Sequence, residues 1–94
     1  MMTQPWEEKF DHILRHRCRL VASEDVVDPD VSFDLLGVDS VELLGLIIDS
    51  EEVFGVEIPA NMLTGDVLAT PRTFWRALKE LMSGGWESPQ TASS

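Results

Sequence analysis

The chain has 94 residues, enough for one domain and near the small end of what buries a self-sufficient core. It carries 17 acidic against 7 basic residues, a net charge of −10, while its hydrophobic fraction of 44% is ordinary for a folded protein. Nucleic acid and anionic membranes are disfavoured as partners because both require a basic face, so the expected partner is a basic protein surface.

The first predicted helix begins near Pro5, after residues 1–4, which we expect to be frayed. Arg15, Arg17 and Arg19 fall in its second half and acidic residues in its first, the order that the helix dipole favours. We interpret this gradient as a stabilising feature. Apolar residues recur at spacings of three and four, typical of a core-facing helix: Trp6, Phe10, Ile13, Leu14, Cys18 and Val21.

A long acidic loop over residues 23–34 follows, and its isolated apolar residues predict that it is pinned to the core. The second helix is expected from Ser40 to about Phe54. Asp39 and Glu42 predict a capping box, in which the Asp39 carboxylate accepts from free amides and Glu42 reaches back. Ser40 is then the first helical residue. Free N–H groups and the positive end of the helix dipole favour a phosphate there.

Two lines of apolar residues run along this second helix. Val41, Leu44 and Ile48 lie beside acidic residues and form either further core or a surface that contacts a partner. Burial on every side is not expected in a domain of this size. The other line is expected to face the core: Leu43, Leu46, Ile47, Ser50 and Phe54.

The remaining elements complete an all-α prediction. Gly55 ends the second helix, and a short, poorly regular third helix is expected within residues 61–69. Thr70 and Pro71 open the last helix as cap and first-turn residue. The sequence therefore predicts a small four-helix bundle with a short third helix over residues 5–83, followed by a disordered tail at 84–94 in which Trp86 is able to pack back.

No catalytic or metal-binding constellation is found. His12 and His16 are four residues apart, but no third ligand has a convincing spacing, and we interpret them as solvated. The loop at Asp28 lacks the glycine and glutamate of a calcium-binding EF-hand. We expect no enzyme activity, a buried rather than reactive Cys18, and, since no leader or membrane-length apolar run is found, a monomeric cytoplasmic protein.

The motif Phe33-x-x-Leu36-Gly37-x-Asp39-Ser40-Val41, followed by Phe54-Gly55-Val56-Glu57-Ile58-Pro59, resembles the acyl carrier protein family. The resemblance implies a four-helix fold and a 4′-phosphopantetheine arm joined to Ser40, next to Asp39, by a phosphopantetheinyl transferase that uses coenzyme A. The thiol of the arm would hold acyl or aminoacyl groups as thioesters.

The resemblance also implies partners and a docking surface. The partners would be an acyltransferase or adenylating loading enzyme and a downstream synthase, in a polyketide or amino-acid-primed polyketide pathway of the kind that makes antibiotics. The alternative is a non-covalent acidic interaction module with unmodified Ser40. Docking would use the exposed side of the second helix, where Gly45 leaves a notch: Val41, Leu44, Gly45, Ile48, Glu51 and Glu52.

Overall fold

A computed structural model describes residues 6–22 and 24–84 of the chain. It contains the helices α1 (Glu8–Arg17), α2 (Ser40–Phe54) and α3 (Pro71–Met82), and two short 3₁₀ helices, Phe33–Leu36 and Ala60–Met62. The helix Ala60–Met62 stands at the start of the region expected to hold the short third helix, so the predicted all-α four-helix architecture is confirmed. The predictions for residues 1–4, for Trp86 and for the tail beyond residue 84 lie outside the described residues.

The first helix is shorter than its apolar pattern predicts. It ends at Arg17, because Cys18 takes an extended conformation (φ −84°, ψ 90°) while its N–H still donates to the Leu14 carbonyl. The chain then turns toward the second half of the loop, where the Leu20 N–H donates to the Leu36 carbonyl at 3.2 Å. The expected burial of Trp6 and Cys18 is nevertheless confirmed.

The core lies where the three α-helices meet. Phe10 of α1 stacks on Phe74 of α3 at 5.8 Å between ring centroids and lies 5.0 Å from Trp75, which in turn lies 5.9 Å from Phe54 of α2. Leu46 is fully enclosed among these helices. This packing fixes the direction in which α2 presents its remaining sides. Among the described helices, none is long and apolar enough to cross a lipid bilayer.

The long loop before α2 is pinned to the rest of the fold, as predicted. Val27 and Phe33 are buried, and the Phe33 N–H donates to the Ala69 carbonyl. Asp30 accepts two hydrogen bonds from the Arg72 guanidinium of α3, at 2.7 and 3.1 Å. These contacts hold the middle and the end of the loop, so the start of α2 is placed by the fold.

Capping residues fix the start of α3 and the end of α2. The Thr70 hydroxyl oxygen accepts from the Thr73 N–H, and the Thr73 hydroxyl oxygen accepts in return from the Thr70 N–H, forming a capping box ahead of Pro71. At the end of α2, Gly55 adopts a left-handed conformation (φ +65°) that favours glycine. The predicted cap at Thr70 and the predicted end of α2 at Gly55 are confirmed, and the return bond to Thr73 is an additional finding.

Candidate functional site

The turn before α2 is fixed by a glycine and a buried valine. Gly37 ends the 3₁₀ helix with φ +82°, and a Cβ atom there would also collide with Leu20. Val38 is buried, and its N–H donates to the Phe33 carbonyl at 3.0 Å. The turn is therefore anchored on the side that faces the core, and the residues that follow it emerge at the surface.

Asp39 caps α2, as predicted. Its carboxylate Oδ1 accepts from the Glu42 N–H at 2.9 Å, and its carbonyl accepts from the Leu43 N–H at 2.8 Å. Ser40 is the first residue of the helix and is exposed. Within the described residues no hydrogen bond engages its hydroxyl, so this oxygen is accessible to an incoming reagent and is not required for the cap.

The second half of the predicted capping box does not form. The Glu42 carboxylate turns away from the Asp39 amide and accepts from Arg17 at 3.1 Å and from Arg19 at 2.8 Å. Charge-assisted bonds to two guanidinium groups are stronger than a bond to one neutral amide. These bonds, first from Arg17 and then from Arg19, hold the pKa of Glu42 below its ordinary value.

The line of apolar residues beside Ser40 is on the surface. The exposed fractions of Val41, Leu44 and Ile48 are 75%, 57% and 45%. The alternative interpretation of Leu44 and Ile48 as further core is therefore wrong. The other line, including Leu46 and Ile47, faces the core as predicted.

Two residues of the expected docking surface have partners within the molecule. The space above Gly45 holds the Arg17 guanidinium, which a Cβ atom at position 45 would overlap, so the open notch predicted there does not exist. Glu51 is half-buried, and its carboxylate accepts from the Ile58 N–H at 2.8 Å. Glu52, by contrast, is exposed.

The contact of Arg17 with α2 was not predicted from the sequence. The charge gradient along α1 predicts that Arg17 interacts with the dipole of its own helix, yet Arg17 reaches across to α2 and also bonds Asp49 at 3.0 Å. The available signal was the spacing of Glu42 and Asp49 by two helical turns with a glycine between them, which places two acids and a gap on one side of the helix.

A cleft of about 260 Å³ opens beside Ser40, between the start of α2 and the segment before α3. Leu43, Phe33 and Leu68 contribute apolar lining, and Ser32 and Asp34 contribute polar groups. An extended group attached to Ser40 therefore has a surface against which to lie.

Other reactive groups are not gathered at this site. Burial raises the pKa of the Cys18 thiol to about 11, so the thiol is protonated at neutral pH. His12 and His16 are exposed on α1. In residues 6–22 and 24–84 no cluster of three or more potential metal ligands occurs. The exposed Ser40 hydroxyl at a helix N-terminus thus fits covalent attachment of a phosphate-linked group.

Comparisons with known proteins agree with this geometry. The solved structures that match include two crystal structures of an engineered Bradyrhizobium japonicum glycine:[carrier protein] ligase complexed with a carrier protein from Agrobacterium tumefaciens, one with AMP and one with ATP. Each is 22% identical over 76% of this chain, covering 95% and 92% of the matched chain with TM-scores of 0.65 and 0.64. At this identity the likeness shows the fold. No curated protein matches the chain.

The family comparison covers more than half of the chain. The family model described as "phosphopantetheine attachment site" matches residues 12–75, from the middle of α1 into α3. This range contains the turn at Gly37, the Asp39 cap and Ser40. The chain belongs to the phosphopantetheine attachment family, whose members carry covalently bound 4′-phosphopantetheine.

Proposed function

We propose that Ser40 is the attachment residue and that the protein carries acyl or aminoacyl intermediates as thioesters. The observation that carries this proposal is the exposed Ser40 hydroxyl at the first position of α2, inside the family match and without a hydrogen bond from residues 6–22 or 24–84. In the attachment step the Ser40 oxygen attacks the β-phosphorus of coenzyme A and loses its proton. The new phosphodiester forms as the 3′,5′-ADP portion leaves. Once bound, the arm supplies a thiol that forms thioesters.

Asp39 acts as a positioning residue in this proposal. Its carboxylate holds the Glu42 amide and so fixes the first turn that displays Ser40. Free N–H groups remain in that turn because a helix start leaves four donors without partners inside the helix. They face the place where the negatively charged phosphodiester would lie, and the helix dipole stabilises that charge by about 0.3–1 kcal/mol.

The docking surface of the proposed carrier is the exposed side of α2. Val41, Leu44 and Ile48 offer apolar area next to Ser40, and Glu52 offers a charge near the far end. Apolar burial acts mainly on dissociation, whereas an exposed charge acts mainly on encounter and is screened by salt. Gly45 and Glu51 support this surface from within the molecule rather than lining it.

The proposed partners are a phosphopantetheinyl transferase, an adenylating loading enzyme or acyltransferase, and a downstream synthase. The structural likeness to chains from ligase–carrier complexes supports an adenylating enzyme among them. We therefore favour an aminoacyl cargo, used in a polyketide or amino-acid-primed polyketide pathway. Basic partners fit the net charge of −10.

Intact mass spectrometry tests the attachment. Wild-type protein incubated with coenzyme A and a broad-range phosphopantetheinyl transferase should gain the mass of one phosphopantetheine group, and Ser40→Ala should gain none. Uptake by Ser40→Ala would refute Ser40 as the attachment residue. An unchanged mass of folded wild-type protein would instead support the non-covalent interaction module.

The loaded form then tests cargo and docking. Holo-protein is incubated with ATP, an adenylating ligase and single amino acids, and the mass of the arm identifies the accepted cargo. Acceptance of acyl-CoA substrates alone would refute the aminoacyl assignment.

Transfer rates of two variants test the docking surface. Leu44→Ala should slow transfer equally at low and high salt, while Glu52→Lys should slow it only at low salt. Wild-type rates for both variants would place docking elsewhere.

A further inference from the structure

The side of α2 that faces α1 carries a cross-helix ion cluster. The Arg17 guanidinium of α1 lies over Gly45 and spans two acidic residues of α2. Its Nη1 donates to Glu42 at 3.1 Å, and its Nε and Nη2 lie 3.0 Å from Asp49 Oδ2. One arginine therefore holds two carboxylates that lie two turns apart on the same helix.

This cluster changes what a partner meets on α2. The helix contains four acidic residues, Glu42, Asp49, Glu51 and Glu52. Glu42 is bonded to Arg17 and Arg19, Asp49 is bonded to Arg17, and Glu51 accepts from a backbone amide. Glu52 alone is exposed and, within the described residues, has no bonded partner. The acidic sequence of α2 thus overstates the charge that its surface offers.

We propose that Arg17 is a specificity-determining residue that masks Asp49 and, together with Arg19, Glu42 from basic partners. This inference rests on the proposed carrier function. With both carboxylates occupied, a partner cation approaching Asp49 also meets the positive guanidinium, and the attraction largely cancels. On this side of α2 the preferred partner surface is then an apolar recess for Leu44 and Ile48. A basic partner is attracted by Glu52 and by exposed acidic residues outside α2 rather than by Glu42 and Asp49.

The burial of the cluster makes the masking persistent. Exposed fractions of the side chains are 24% for Arg17, 15% for Glu42 and 29% for Asp49. The planar guanidinium of Arg17 bonds both carboxylates at once, so it loses less side-chain conformational entropy per hydrogen bond than a lysine would. Gly45 makes this position available, since any side chain there displaces the guanidinium. A partner would have to break several bonds to reach the masked acids.

Salt-dependent modification kinetics test the proposal. The kcat/KM of a broad-range phosphopantetheinyl transferase is measured for wild type, Arg17→Gln and Arg76→Gln from about 20 mM to about 500 mM salt. Arg76 is exposed on α3, so Arg76→Gln makes the same change in net charge without unmasking α2. We expect Arg17→Gln to be faster than wild type by about 3- to 10-fold at low salt and equal at high salt, and Arg76→Gln to differ by less than about 2-fold.

Two further variants distinguish exposure of the Glu42 and Asp49 charges from weakened packing between α1 and α2. Arg17→Gln combined with Asp49→Asn removes both members of one ion pair, and its salt profile should return close to that of wild type. Gly45→Ala displaces the guanidinium without removing a charge and favours the helix, so it should raise the low-salt rate by a smaller factor. Each variant is checked for native helicity by circular dichroism.

The outcomes distinguish the two proposals. If wild-type protein takes up no phosphopantetheine, the proposed function is wrong. If wild type is modified but Arg17→Gln and Arg76→Gln have the same salt profile, or Arg17→Gln is slower at low salt, the masking role is overturned and the carrier function stands. A persistent gain in the Arg17→Gln, Asp49→Asn double variant would also overturn it.

Discussion

Leu46→Ala and Leu44→Ala make the same chemical change on opposite sides of α2. Leu46 has an exposed fraction of 0% and packs in the core, whereas Leu44 is 57% exposed. Removing a fully buried leucine loses transfer free energy and leaves a cavity, which together cost about 2–5 kcal/mol. We expect about 3–4 kcal/mol for Leu46→Ala because no part of this side chain reaches solvent. Leu44→Ala should cost less than about 1 kcal/mol.

Urea unfolding monitored by circular dichroism measures both variants. A domain of 94 residues is expected to have a free energy of unfolding of about 5–14 kcal/mol, so Leu46→Ala should remain folded in water with a much lower midpoint. Phe54→Ala is a useful intermediate case, since Phe54 is half-buried against Trp75. Equal losses for Leu44→Ala and Leu46→Ala, or less than about 1 kcal/mol for the latter, would refute the assignment of the two sides.

Three further predictions concern the cap, the thiol and the ion cluster. Asp39→Ala should destabilise by about 1 kcal/mol and Ser40→Ala by less than about 0.5 kcal/mol in the same assay; equal losses would contradict the cap assignment. Cys18 should react with a disulfide reagent at pH 8 at least about 100-fold more slowly in native than in denatured protein, because burial raises its pKa to about 11. Arg17, and after it Arg19, lower the pKa of Glu42 in the folded protein, which stabilises the fold above about pH 4.3. This stabilisation is lost as the pH falls through the lowered pKa. Arg17→Gln removes the larger cause, so the Tm of this variant should fall less steeply in acid than that of wild type.

Local patterns were sufficient to predict the backbone structure around Ser40. A cap depends on residues three apart, and a buried stripe depends on spacings of three and four, so both can be read from neighbouring residues. The Asp39 cap and the start of α2 at Ser40 were found in this way. The same reasoning placed Leu46 inside, but it left Leu44 undecided, because periodicity alone does not tell a second apolar line from core.

Contacts between distant residues could not be predicted in the same way. Arg17 and Asp49 are 32 residues apart, and their pairing depends on how α1 crosses α2. The capping box failed for the same reason, since Glu42 found stronger partners on another segment. The end of α1 was misplaced because Cys18 and Val21 continue the apolar spacing through a turn in which the backbone is no longer helical. Cys18 and Val21 still pack against the core although they lie beyond the end of the helix.

The arrangement of α2 separates the proposed chemistry from the stability of the fold. If Ser40 itself were the cap, esterifying its oxygen would disturb the bond that starts the helix, and modification would oppose folding. Asp39 provides that bond instead, so a phosphodiester can be added to an exposed atom while the cap remains intact. Leu46 holds the opposite side in the core, and Arg17 restrains the side toward α1. Since these contacts involve no atom of Ser40, apo and holo protein should present the same docking surface to successive partners.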